Sequence, residues 1–202
     1  HDALPIYQYS KSFQFEQDFH NYEAKYIGSG VYYFSLLRPW SEFQIAEYFS
    51  RLKAYHSIFR SCNAGSKQDI WCGSCSKCLF VFLILSPFLT EEELCSIFGR
   101  NLLEDENMLP ILDQLIGVEA EKPFECVGSR EEINVALSMT VGRQLKEGRK
   151  LPLLLAHYIE TGLYGHYKDR LNPYEGYYNE ENLVPNRFGT LLKQALNEEE
   201  LR

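Results

Sequence analysis

Four cysteines crowd one stretch of the chain: Cys62, then Cys72, Cys75 and Cys78, in a C-x9-C-x2-C-x2-C pattern. Four thiolates at this spacing suit a tetrahedral shell around one Zn²⁺ at Zn–S distances of about 2.3 Å. Gly73 between the first close pair permits a tight backbone knuckle. Cys78 follows Cys75 by about one helical turn, so its sulfur falls on the same side. A full set of four protein ligands leaves no open coordination position, which points to a structural rather than a catalytic metal. Two other readings stay open: reduced, buried thiols or a redox pair, and an iron–sulfur cluster on the same ligand set. Cys95 reads as a helical core residue. Cys126, between Glu125 and Val127, reads as a small packed residue or a reactive thiol.

The elements that must position these residues follow from periodicity. Phe15, Phe19, Tyr22 and Tyr26 recur at helical spacing and predict a helix from Ser10 to Ile27, ended by Gly28-Ser29-Gly30. Val31 to Leu37 is apolar and β-prone and predicts a buried strand. Ser41 opens a second helix with Ile45, Phe49 and Leu52 inward. Ser57 to Ser61 is expected to be a short strand leading into Cys62. The alternation suggests an α/β architecture with parallel strands. Cys75 to Leu85 is apolar almost all round and predicts a buried helix. Thr90/Glu93 and Ser129/Glu132 have capping-box spacing ahead of helices from Glu91 to Phe98 and onward to Leu145. Further helices are expected over Glu106–Ile116, Leu151–Ile159 and Arg187–Leu196. Gly162 to Pro185, rich in Tyr, Asn and Gly, is expected to be irregular.

Composition limits the partners. The chain has 202 residues, 45% hydrophobic and 24% charged, with net charge −8. That acidity argues against a general nucleic-acid grip. The runs Glu91–Glu93 and Glu198–Glu200 read as solvated faces. The apolar run after Cys78 falls short of the about 20 residues that span a bilayer, so no membrane insertion is expected. Clustered thiols with no visible secretion signal favour a reducing cytoplasm. Residues 1–6 back-translate as CAC GAC GCT CTT CCG ATC, the end of a widely used sequencing adapter. Residues 1–7 are therefore expected to be a non-native leader, followed by a nucleotide-binding region over 8–128 and a helical C-terminal region over 129–202.

The surroundings of the cysteines carry a resemblance. Trp71-Cys72-Gly73-Ser74-Cys75-Ser76-Lys77-Cys78 resembles the zinc motif of 7-cyano-7-deazaguanine synthase, a PP-loop ATP pyrophosphatase. More specifically, Phe59-Arg60-Ser61-Cys62-Asn63, Lys77-Cys78-Leu79-Phe80, Pro87-Phe88-Leu89, Lys122-Pro123-Phe124-Glu125-Cys126-Val127-Gly128 and Gln8-Tyr9-Ser10-Lys11-Ser12 resemble the MurL family. The resemblance implies the C-terminal part of a three-layer α/β PP-loop domain. It implies an epimerase that inverts the terminal L-glutamate of UDP-MurNAc-L-Ala-L-Glu in peptidoglycan synthesis, using ATP with Mg²⁺ through an acyl-adenylate. The glycine-rich phosphate loop of PP-loop enzymes is absent; Gly28-Ser29-Gly30 matches it poorly, so an inactive fragment is expected. An amidating PP-loop ligase and a non-enzymatic zinc-stapled module remain alternatives.

Within that frame Lys11, Arg60, Asn63, Lys77 and Arg130 are candidates for substrate or phosphate binding, Arg130 from a helix start whose dipole favours anions. Glu125 is a candidate base with Cys126 as its partner. His56, His157 and His166 have no partner spacing and read as structural.

Overall fold

The computed structural model describes residues 6–123 and 127–197. Among them there are helices, turns and loops but no strand. The expected α/β architecture with parallel strands is therefore corrected to an all-helical one. The reason lies in the two segments expected to be strands. Residues 31–37 run extended into a turn with no ladder partner, and Val31, Tyr32, Leu36 and Leu37 are exposed. β-prone side chains favour a strand only where a neighbouring strand takes up the backbone hydrogen bonds. Residues 57–61 likewise form an unpaired loop.

The described chain divides into two units. The larger, Glu42–Glu175, is built around α4, Ser76–Leu85, whose residues from Cys78 to Leu85 are all buried. Around it pack α2 (Glu42–Arg51), α5 (Glu91–Phe98), α6 (Leu109–Ile116) and α7 (Arg130–Lys146). The short α3 (Lys53–His56) follows α2, and α8 (Leu153–Glu160) and α9 (Leu163–Tyr167) pack on α7. A helix apolar on every face is stable only when enclosed in this way.

Polar groups fix the enclosure. The Thr90 and Ser129 capping boxes form as the spacing predicts. Glu132 does more than close its own box: its Oε1 accepts from the amide of Glu42 at 2.8 Å, so one buried carboxylate serves the starts of α7 and α2. Arg143 donates to the carbonyls of Ser86, Pro87 and Leu89 at 2.9, 3.1 and 3.0 Å. These follow the end of α4, where carbonyls otherwise lack partners.

The smaller unit joins the described residues up to Ser41 with those from Gly176 onward. Its α1, Phe13–Tyr22, carries the buried Glu16, whose carboxylate accepts from Ser35 N at 3.1 Å and Arg38 Nε at 2.7 Å. The last helix, α10 (Asn186–Asn197), meets the extended segment through Phe188, stacked on Phe34 with ring centroids 5.5 Å apart.

Candidate metal centre

The cysteine cluster lies entirely in the larger unit. The sulfurs of Cys62, Cys72, Cys75 and Cys78 all fall within 4.8 Å of one another. Three of the separations are 3.8 Å (Cys62–Cys75), 3.6 Å (Cys72–Cys78) and 3.5 Å (Cys75–Cys78). A tetrahedron with 2.3 Å metal–sulfur arms has edges of about 3.8 Å. Disulfide sulfurs would approach to about 2.05 Å, and these four thiols are free. The donor set and its spacing therefore fit a divalent zinc-like ion held by four sulfurs. Cys62 and Cys78 are buried and Cys72 and Cys75 half-buried, so the site is closed on one side by the core.

Local sequence explains how the ligands converge. Cys75 is the N-cap residue of α4, and Cys78 lies in that helix's first turn. Gly73 takes φ +67°, a left-handed conformation that glycine adopts without the penalty of a Cβ. Cys62 arrives from the other side of a tight loop. There Gly65 N donates to Cys62 Sγ at 3.3 Å, and Ile70 N donates back to Gly65 O at 3.2 Å. A Cβ at Gly65 would stand 2.0 Å from Ile70 O, so only glycine closes this loop.

The thiols differ in acidity. Burial opposes ionisation of Cys72, but the Ser74 amide and hydroxyl and the neighbouring thiols donate to its sulfur and lower it to about 6. Burial pushes Cys75 up to about 11, with the adjoining Cys72 and Cys62 sulfurs adding to the rise. Cys78 is pushed up further, again chiefly by burial. Without a cation, Cys72 is the sulfur that carries negative charge, while Cys75 and Cys78 hold their protons.

Two residues that sequence reasoning missed support the knuckle. Arg100 Nη2 donates to Gly73 O and to Asp105 Oδ2, each at 2.6 Å, and so ties the knuckle to the turns after α5. Phe98 lies against Trp71 with ring centroids 4.7 Å apart and against Phe82 at 5.1 Å, linking the residue before Cys72 to the middle of α4. Gly65 was detectable as a glycine in a polar loop; nothing in the sequence marks Arg100, which acts across 27 positions.

The other candidates scatter. Arg60 Nε donates to Asp69 O at 3.2 Å and Nη1 to Phe59 O at 2.6 Å, so Arg60 braces the loop between the cysteines. Asn63 is exposed, and its carbonyl accepts from Ser66 Oγ at 2.8 Å. Lys77 is half-buried in the first turn of α4, between two ligands. Arg130 Nη2 donates to the carbonyls of Glu119 and Ala120, at 2.9 and 2.8 Å, and clamps the connection between α6 and α7. Lys11 belongs to the smaller unit, at the end of a 3₁₀ turn. Glu125 and Cys126 lie outside the described residues. His56 Nε2 lies 3.1 Å from Phe49 O, His157 Nε2 lies 2.8 Å from Asp113 Oδ1, and His166 contacts Arg170.

Comparison with known proteins places this geometry. The family model described as the MurL C-terminal domain matches residues 56–160, which contain all four cysteines and α4 through α8. A protein of Xanthomonas oryzae pv. oryzae named UDP-N-acetyl-alpha-D-muramoyl-L-alanyl-L-glutamate epimerase is 40% identical over 143 residues, covering 68% of this chain and 32% of that relative. Proteins of the same name from a Micromonospora strain and from Salinispora tropica are 43% and 44% identical over 137 residues, each covering 66% of this chain. They are covered over 31% and 30% of their own lengths. The chain thus spans about a third of the length of the curated relatives it matches. No solved structure matches it.

Proposed function

The chain belongs to the MurL C-terminal domain family, and on that premise we propose that it is the metal-stapled C-terminal part of an epimerase. The enzyme would act on the terminal glutamate of UDP-N-acetyl-α-D-muramoyl-L-alanyl-L-glutamate. The observation that carries this reading is the coincidence of the family match with the four-sulfur cluster and the helices around it. Cys62, Cys72, Cys75 and Cys78 would hold Zn²⁺, which supplies a cross-link between the Cys62 loop, the knuckle and α4 rather than a reactive position. No described helix is long and apolar enough to cross a membrane, and free thiols in this number suit a reducing compartment such as the cytoplasm.

The chemistry asked of the whole enzyme is the loss and return of the glutamate α-proton. A free α-carboxylate resists that loss, because its negative charge opposes a second one on the adjacent carbon. Activation of the carboxylate with ATP and Mg²⁺ would remove the obstacle. Glu125 and Cys126 are the proposed pair for moving the proton. Lys11, Arg60, Asn63, Lys77 and Arg130 are the proposed contacts to the sugar and peptide of the substrate or to the ATP phosphates; Arg60 and Arg130 also brace backbone carbonyls.

The test is a chimera. The matching third of the Xanthomonas relative is replaced by this chain, and the product is given UDP-MurNAc-L-Ala-L-Glu with ATP. D-glutamate in the acid hydrolysate, at a rate within about tenfold of the parent, is expected. A folded, zinc-containing chimera that yields only L-glutamate, beside an active parent, would overturn the reading.

A further inference from the structure

A groove of about 980 Å³ runs beside the C-terminal half of α7, in the larger unit and away from the cysteine cluster. Gly142 and Lys146 line it from α7, and Tyr164, Tyr167, Lys168 and Arg170 from α9 and the segment after it.

Three features of this groove call for an explanation. First, Gly142 lies inside a 17-residue helix with no left-handed φ. Glycine costs about 1 kcal/mol there relative to alanine. Packing does not demand it, since an added Cβ would meet only Tyr164 Oη, at an ordinary 3.9 Å. What glycine keeps is open space and a bare backbone in the groove. Second, the charge is reversed against a chain of net −8. The lining carries four cations, Arg143, Lys146, Lys168 and Arg170, and two anions, Glu147 and Asp169, of which Glu147 is paired with Arg149 at 2.9 Å. Neither Lys146 nor Lys168 has an ion-pair partner among the described residues. Third, one of the cations adjoins an aromatic ring: the Arg170 guanidinium stands 5.0 Å from the Tyr167 ring centroid, beside its contact with His166.

We propose that this groove binds a nucleoside diphosphate group, with Lys146, Lys168 and Arg170 taking the phosphates and Tyr164 and Tyr167 flanking the ring over Gly142. Two unpaired ammonium groups match a dianionic diphosphate. Tyrosine faces and an open helix floor accept a flat heterocycle and its sugar. The size suits such a ligand and leaves room for what the diphosphate carries. The choice of uridine as the base rests on the proposed function; the diphosphate and ring subsites rest on the groove alone.

The test is a calorimetric titration of the 202-residue chain with UDP, with inorganic pyrophosphate and uridine in parallel. Saturable 1:1 binding of UDP is expected, tighter by about tenfold or more than either half alone. The double variant Lys146→Gln, Lys168→Gln should weaken UDP binding by about tenfold or more, without lowering the melting temperature. Gly142→Leu should raise the melting temperature and abolish binding, because the side chain favours the helix and fills the groove. No UDP binding at millimolar concentration overturns the proposal. So does binding that survives Gly142→Leu, or that pyrophosphate matches in full, since surface lysines alone would do that. The titration involves no turnover and no peptide. Its failure would leave the epimerase reading to the chimera, and an inactive chimera would leave the groove to the titration.

Discussion

At Gly65, one hydrogen atom decides whether the metal centre can assemble. The carbonyl of Ile70 occupies the space of any Cβ, and the Gly65 amide is committed to Cys62 Sγ. Gly65→Ala must open the loop and withdraw Cys62. We expect it to lower zinc stoichiometry, measured by mass spectrometry of the native protein, while the helical circular dichroism persists at low temperature. Full retention of zinc would refute the loop's role. The thiols themselves lead to a second expectation. At pH 7 Cys72, lowered to about 6, is largely ionised, whereas Cys75, raised to about 11, and Cys78, raised further, hold protons. Metal binding needs thiolates, so it must release the protons of Cys75 and Cys78. Falling pH therefore weakens binding and rising pH strengthens it, by two displaced protons above about 6 and more steeply below, where Cys72 must lose a proton as well. Calorimetry in buffers of different ionisation enthalpy should show about two protons or more released per zinc at pH 7; fewer than one would contradict the assignment.

At the scale of elements, α4 is held by side chains at its start and beyond its end. Its start is held by the cysteines, and the carbonyls after its end by Arg143, across more than 50 positions. Arg143→Met keeps much of the side-chain volume and removes three charge-assisted hydrogen bonds. It should cost about 2–4 kcal/mol of stability, since charged hydrogen bonds contribute about 1.5–3 kcal/mol each and are not additive. Urea unfolding checks this, and a change below 1 kcal/mol would show that water replaces the guanidinium freely. The element scale is also where sequence reasoning was weakest. Thr90/Glu93 and Ser129/Glu132 formed their capping boxes because a cap is a contact over three positions. Val31–Leu37 did not become a strand, because a strand is a contact with another segment, and no described segment pairs with it.

For the whole molecule, the division into units makes its own prediction. The buried core cluster runs from Phe43 to Tyr158, with packed neighbours up to Tyr174, all within Glu42–Glu175. The four cysteines lie there too. A polypeptide of residues 42–175 should therefore fold cooperatively and bind one zinc. Non-cooperative melting, or a metal-free product, would show that the larger unit depends on the smaller. The family match lies inside the same limits, at residues 56–160.

The sequence by itself determined what local chemistry dictates. The cysteine spacing specified a four-sulfur site, Gly73 its knuckle, the apolar run after Cys78 a buried helix, and the short strings around them a MurL resemblance that the family match upholds. The tertiary structure alone decided what depends on distant partners. It set the all-helical architecture, the Gly65–Ile70 closure that delivers Cys62, Arg100 on the knuckle and Arg143 beyond the end of α4. Helix caps and metal knuckles are encoded within a few residues. Strand pairing and long-range hydrogen bonds depend on which segments the fold brings together, and no spacing along the chain records that.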